Sequence, residues 1–141
     1  MLLISCSNRK NQSTATPKPA FELYDGVFYR LIKNTFRNNQ SIQNKLDIFI
    51  LSAKYHVIPS DSMIEPYNLK MDKKISISNK QINTSLLKRY ILEKKPRTLT
   101  VVMGKTYRDS IDWNEINIPI TFITGEIGMM QSQLKKWLLS L

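Results

Sequence analysis

The stretch LSAKYHVIPSDSMIEPYNLKM, residues 51–71, gathers more reactive side chains than any other part of the chain. An apolar run ends in Lys54, Tyr55 and the chain's one histidine, His56, and a Pro-bounded loop follows that carries Asp61, Glu65 and Tyr67. A lysine holds a phosphate, a tyrosine ring stacks on a base, and a carboxylate accepts or delivers a proton. Glu65 sits between Ile64, an apolar anchor, and Pro66, a residue of fixed φ. That setting positions a carboxylate for proton transfer or for hydrogen bonding to a base; pairing with one of the many cations is the competing reading. His56 is the side chain most ready to trade a proton near neutrality, but it has no visible partner. A lone histidine makes no metal site, which favours a structural or solvent-exposed role.

Three further segments carry chemistry: Ser5-Cys6-Ser7-Asn8-Arg9-Lys10, Gly104-Lys105-Thr106-Tyr107-Arg108 and Gly125-Glu126-Ile127-Gly128. Three of the chain's 4 glycines lie in the last two. Glycine permits positive φ and close backbone approach, which suits turns that aim N–H groups at an anion, although any strand-to-helix turn favours it. Cys6 would act as a nucleophile if Arg9 or Lys10 stabilised its thiolate, and otherwise reads as a small buried packing residue. A single cysteine excludes an intramolecular disulfide and a multi-Cys metal site, and fits the reducing cytoplasm. No metal and no cofactor is expected, since GEIG is far looser than a nucleotide-cofactor fingerprint.

Elements that would position these residues are readable from the pattern. Leu2–Ser5, Leu46–Ser52, Thr98–Met103 and Ile118–Thr124 are continuous apolar runs rich in β-branched or aromatic residues, as strands covered on both faces require. Helical spacing appears over Gly26–Asn38 (Val27, Leu31, Ile32, Phe36), Ser78–Lys95 (Ile82, Leu86, Tyr90, Leu92) and Ile127–Leu141, with a weaker helix at Tyr107–Ile111. The alternation predicts a single α/β domain over residues 1–141, with a mostly parallel central sheet of about four strands flanked by helices. Residues 8–20 read as a mobile loop and residues 56–76 as a long irregular loop, and such loops in a compact domain usually serve a site. In an open parallel sheet the ligand crevice lies beyond the carboxyl ends of the strands, where all four reactive segments fall.

The composition supports an anionic partner. Against 11 Asp+Glu stand 21 Lys+Arg, a formal +10, which favours nucleic acid, nucleotides or acidic membranes. An abundance of Lys, Asn and Ile also follows from an AT-rich genome. The apolar start MLLI is too short for a membrane span and lacks a basic flank, so no membrane association is expected.

The segments ISCSNRK (4–10), FELYDGVFYRLI (21–32), ILSAKYHVIPSDSMIEPYNLKM (50–71), VVMGKTYRDSI (101–111) and GEIGMMQSQL (125–134) resemble a family of small bacterial and phage proteins. Its members read like ISCSKRK, LSAKYGLL and IEPY, and the same blocks look like the peroxide-stress protein YaaA family. The resemblance implies a signature site at Ser5, Cys6, Ser7, Lys54, Tyr55, Glu65, Pro66 and Tyr67. It also implies association with DNA or nucleobases, because YaaA-like proteins are linked to DNA protection under oxidative stress. A fainter similarity connects the chain to the glycosylase-like domains of archaeosine-forming enzymes. His56 stands where relatives have glycine; if that position needs positive φ, histidine bears it less easily.

Three readings fit these residues. In the first, a nucleic-acid or nucleotide ligand binds on the sheet rim and is acted on at a nucleobase or its glycosidic bond. Lys54, Lys105 and Arg108 then hold phosphate, Tyr55 or Tyr67 stacks, Glu65 orients or protonates the base, and Ser5, Cys6, Ser7, Gly104, Gly125 and Gly128 complete the site. The second is a DNA-binding stress or defence module without catalysis. The third is an enzyme acting on a free nucleotide.

Overall fold

Leu2–Ser5 forms β1, the central strand of a five-stranded sheet. The computed structural model describes residues 1–11 and 16–141. After β1 come β2 (Lys18–Pro19), the one-turn α1 (Ala20–Leu23), α2 (Val27–Asn38) and α3 (Gln40–Lys45). β3 (Ile48–Ser52), β4 (His56–Pro59) and β5 (Met63–Ile64) precede the long α4 (Lys73–Lys94). β6 (Leu99–Val102), α5 (Lys105–Arg108), a 3-10 turn at Trp113–Glu115, β7 (Ile120–Ile123) and α6 (Ile127–Leu139) complete the chain.

The sheet order is β4-β3-β1-β6-β7. β1 pairs in parallel with β3 and with β6, and β6 with β7, while β4 folds back antiparallel on β3. Successive side chains of a strand point to opposite faces. Leu2, Ile4, Ile48, Ile50 and Val102 therefore pack with Tyr29 and Ile32 of α2 and with Met130, Leu134 and Leu138 of α6. Leu3, Phe49, Leu51 and Val101 pack on the other face with Leu87 of α4. Helices on both faces explain why β1, β3 and β6 are apolar apart from Ser5, Ser52 and Thr100.

The sheet has five strands rather than four, and β7 is an edge strand with Thr121 and Phe122 exposed. The fifth strand, β4, lies inside the expected loop 56–76, which also holds β5 and the first turns of α4. Its shortness, with His56 and Pro59 at its two ends, hid β4, which stands at an edge where proline is tolerated. In the expected loop 8–20, positions 12–15 lie outside the described residues. On either side of them Lys10 bridges to Tyr24, and β2 pairs antiparallel with β5.

α4 starts at Lys73, earlier than the spacing predicts, because the Asp72 carboxylate accepts the Ile75 N–H at 2.7 Å. Its buried stripe is also different: Ser76, Asn83, Thr84 and Leu87 face inward while Ile82 and Leu92 are exposed. Polar groups occupy that stripe because most are paired. Asn83 Nδ2 donates to the Ser110 carbonyl at 3.3 Å, and Thr84 Oγ1 donates to the Lys80 carbonyl at 2.6 Å and accepts from Asp112 N at 2.9 Å.

His56 begins β4 with φ of 64°, so this position does lie in the left-handed region. Its Nδ1 lies 3.3 Å from Asn83 Oδ1, a contact glycine cannot make. Strain of about 1–2 kcal/mol is thus opposed by a hydrogen bond of about 1 kcal/mol. His56→Gly is expected to change stability by under about 1 kcal/mol, whereas His56→Val, which keeps the strain and loses the bond, costs about 2 kcal/mol or more in urea unfolding. Equal stability of the Gly and Val variants would show that φ at this position is unimportant.

Candidate functional site

β1 leads on to β3 on one side while its other parallel neighbour, β6, leads on to β7 on the opposite side, so the chain diverges between the carboxyl ends of β1 and β6. A cavity of about 250 Å³ opens there. Asn8 lines it from the segment after β1, Gly104, Lys105, Thr106 and Tyr107 from the segment after β6, and Lys70 and Met71 from the run before α4. Cys6, buried, lies 3.1 Å (Sγ to Oη) from Tyr107 and ties the two post-strand segments together.

Beside this crevice a tyrosine cluster holds the 51–71 stretch. Ser52 Oγ accepts the backbone N–H groups of Lys54 and Tyr55 at 3.1 and 3.0 Å. With both lone pairs taken, its proton must point at Tyr67 Oη, 2.8 Å away. Tyr67 and Tyr24 hydroxyls are 2.6 Å apart. Tyr55 meets the Tyr67 ring edge-on at 5.4 Å and donates its hydroxyl to the Glu65 carbonyl at 3.3 Å. Lys10 Nζ lies 4.6 Å from the Tyr67 ring centroid, and Lys54 Nζ lies 5.3 Å from that of Tyr55. Both cations are near enough to gain from the ring quadrupoles.

Burial dominates the electrostatics. It pushes the Tyr24 hydroxyl up to about 12, and drives Tyr67, Tyr107 and the fully enclosed Tyr29 further upward, with the Cys6 sulfur a secondary cause. Burial also lowers the Lys10 ammonium, whereas the Arg30 guanidinium, hydrogen-bonded to Asp25, holds that carboxyl below its usual range. The Asp25 carboxylate takes two bonds from Arg30, at 3.2 and 3.0 Å, and also faces Arg9, which anchors the segment after β1 to α2.

The expected residues divide into three groups. Cys6, Gly104 and Lys105 meet at the crevice, and Lys54, Tyr55 and Tyr67 form the adjoining cluster. Ser5 and Ser7 serve the backbone: the Ser5 carbonyl accepts from Tyr29 at 2.8 Å, and Ser7 Oγ donates to the Arg9 carbonyl at 2.6 Å. Ser7 also explains Gly26, where a Cβ would stand 2.8 Å from Ser7 Cβ. Arg108 turns away, donating to the Met103 carbonyl at 3.4 Å and lining a different cavity with Trp113 and Phe122. Gly125, with φ of +117°, and Gly128 follow edge strand β7, two strands from β1, and do not line the crevice. The Glu65 side chain is exposed and has no ion pair among the described residues.

Sequence reasoning missed Asn8, Lys10, Tyr24, Ser52, Lys70 and Tyr107 as site residues. All six lie inside quoted motifs, but only pairing across the fold shows which hydroxyl meets which. Among the described residues no three His, Cys, Asp or Glu side chains cluster as a metal would need, and no helix is long and apolar enough to cross a membrane.

A largely parallel sheet with helices on both faces and a crevice at its switch point defines a doubly wound α/β protein. Within that class the chain belongs to DUF6884, a family of unknown function, which it matches over residues 1–139. Its relatives include UPF0246 proteins, of the YaaA family. One from Streptococcus agalactiae serotype Ia is 38% identical over 71 residues, covering 48% of this chain and 28% of that protein. Another, from Streptococcus pneumoniae strain CGSP14, is 33% identical over 75 residues, covering 52% of this chain and 31% of that protein. The matched region thus spans less than a third of these relatives' length. The crystal structure of AF0587, a protein of unknown function, aligns over 97% of this chain and 43% of its own at 15% identity, with a TM-score of 0.49.

A phenol whose pKa is raised by folding keeps a proton that the unfolded chain releases. Its contribution is therefore complete below the ordinary value of 10.0 and is lost as pH rises towards about 12. Tyrosinate absorbance of the folded protein should lag that of the urea-unfolded chain across this interval, and Tyr24→Phe should narrow the gap. Identical titration curves would show that the cluster is open to water.

Proposed function

We propose that the switch-point crevice binds a nucleotide unit, free or within a nucleic acid. The observation that carries this reading is the meeting of Lys70 and Lys105 with Asn8 and Tyr107 around one cavity at the ends of β1 and β6. Two ammonium groups suit a phosphate, the Asn8 amide offers a donor and an acceptor to a base edge, and Tyr107 supplies an aromatic surface. Lys10 and Lys54 on the adjoining cluster, and the formal +10 of the chain, add attraction for further phosphates.

Chemistry at the base or its glycosidic bond would fall to Glu65, whose exposed carboxylate is unpaired by any described cation. One observation favours the second reading, a binding module without turnover: Glu65 is not part of the crevice lining.

Fluorescence anisotropy with a labelled single-stranded oligonucleotide, competed by nucleoside monophosphates over a salt series, tests the crevice. Lys70→Gln and Lys105→Gln should each weaken binding and lower the logarithmic salt slope by about 0.7, the share of one phosphate on a single strand. Wild-type slopes in both variants would remove the phosphate from this site. Mass spectrometry of nucleic-acid and nucleotide pools incubated with wild type and Glu65→Gln decides turnover. A product made by wild type alone assigns Glu65 the proton transfer; no product from either, with binding intact, leaves the binding module.

A further inference from the structure

The crevice does not end at Lys105. Lys105 and Thr106 also line a second cavity of about 480 Å³, shared with Lys73, Ser76, Ile77, Lys80 and Asp109. Lys80 and Asp109 in turn line a third, of about 390 Å³, that holds Arg108, Asp112, Trp113 and Phe122. The shared residues set the three cavities side by side in a row, from the end of β1 across the first turns of α4 to β7.

Its middle section is built on one face of α4. Lys73, Ser76, Ile77 and Lys80 stand at i, i+3, i+4 and i+7, so the two lysines are about 10.5 Å apart along the helix axis with serine and isoleucine between them. Ile77 is 68% exposed there, an apolar surface between cations. Ser76 Oγ is the one buried side-chain oxygen or nitrogen among the described residues that has no hydrogen-bond partner. Buried helical hydroxyls elsewhere satisfy themselves, Thr35 on the Leu31 carbonyl and Thr84 on the Lys80 carbonyl. An unpaired buried hydroxyl is costly, and Ser76 is among the residues that line a cavity flanked by ammonium groups, where a phosphate oxygen would complete the hydroxyl on rotation about its Cα–Cβ bond.

Charge and shape then change along the row. The middle cavity has Lys73, Lys80 and Lys105 against Asp109, an excess of positive charge. In the third, Lys80 and Arg108 are balanced by Asp109 and Asp112, and aromatic surface takes over. Trp113 is fixed by its indole N–H, which donates to the Arg108 carbonyl at 2.9 Å, and its ring meets Phe122 at 5.0 Å and 89°. A phosphate is favoured in the first two compartments and a base in the third.

We propose that this row of cavities acts as one groove for single-stranded nucleic acid: its phosphates lie over Lys105, Lys73 and Lys80 with one accepting from Ser76 Oγ, and a base lodges against Trp113 and Phe122. The proposal rests on the crevice reading above and extends it, making an oligonucleotide rather than a mononucleotide the preferred ligand. A duplex keeps its bases paired and stacked, so only an unpaired strand fills the aromatic compartment.

Anisotropy and competition with a pentanucleotide and a nucleoside monophosphate, on the full chain, test this. The pentanucleotide should bind about 5- to 150-fold more tightly, the gain of one stacked base. Phe122→Ala should abolish most of that gain, and Ser76→Ala should weaken the pentanucleotide alone while its melting temperature stays level or rises, because an unpaired hydroxyl is removed. Lys80→Gln, an exposed substitution on α4, replaces Phe122→Ala if that variant fails to fold. Equal wild-type affinity for the two ligands, or wild-type pentanucleotide binding by Ser76→Ala or by the aromatic or lysine variant, overturns the groove and leaves the crevice standing. If neither ligand binds wild type, the crevice reading falls and the groove with it.

Discussion

β1 is hydrogen-bonded along both edges, to β3 through Leu2–Ser5 and to β6 through Leu2–Ile4. Parallel pairing cannot be closed by a hairpin, so each neighbour is reached by a crossover carrying a helix. The crossover from β1 to β3 and the one from the β3–β4 pair back past β1 to β6 step in opposite directions, and right-handed crossovers that do so pass on opposite faces. α2 covers one face and α4 the other, and nothing is left to cover the end of β1. The crevice between the segments after β1 and β6 is thus a consequence of strand order. Its lining could vary widely without moving it.

Around that opening the chain uses neutral hydroxyls where it could have used charge. Tyr67 joins three segments distant in sequence, receiving a proton from Ser52 at the end of β3 and meeting Tyr24 after α1. Burial raises these phenols, so they stay protonated and the cluster carries no net charge of its own. Lysines at its edge then face an uncharged aromatic wall. Such a wall neither repels a phosphate nor consumes the cations in ion pairs, and the nearby Asp25 is taken up by Arg9 and Arg30.

How much of this was legible depended on what each signal measures. The buried runs located β1, β3 and β6 to within one or two residues, because a strand covered on both faces is apolar at most positions, and the apolar run at the exposed edge located β7 as closely. α4 was legible as a helix but its inward face only in part: Leu86 and Tyr90 do pack against the core, and Ile82 and Leu92 do not. Apolar spacing favoured Ile82, Leu86, Tyr90 and Leu92, whereas the fold buries Ser76, Asn83 and Thr84 and pairs the latter two with Ser110, Lys80 and Asp112. Periodicity counts apolar residues and is blind to a polar one whose partner lies elsewhere in the chain. β4 was missed for a similar reason, since two apolar residues between a histidine and a proline give no strand pattern, and only pairing with β3 makes it one.

The candidate site divides along the same line. Sequence alone determined that the reactive residues follow strands, that the chain carries excess positive charge, and that the glycine-replacing His56 would be strained if its φ were positive; these depend on local order, composition and backbone sterics. Tertiary structure alone decided that Lys105 faces Asn8 and Lys70 while Arg108 faces Trp113, and that Gly125 and Gly128 stand two strands from the crevice. Strand order is set by which buried faces pack together in three dimensions, and a linear pattern records the faces but not their neighbours.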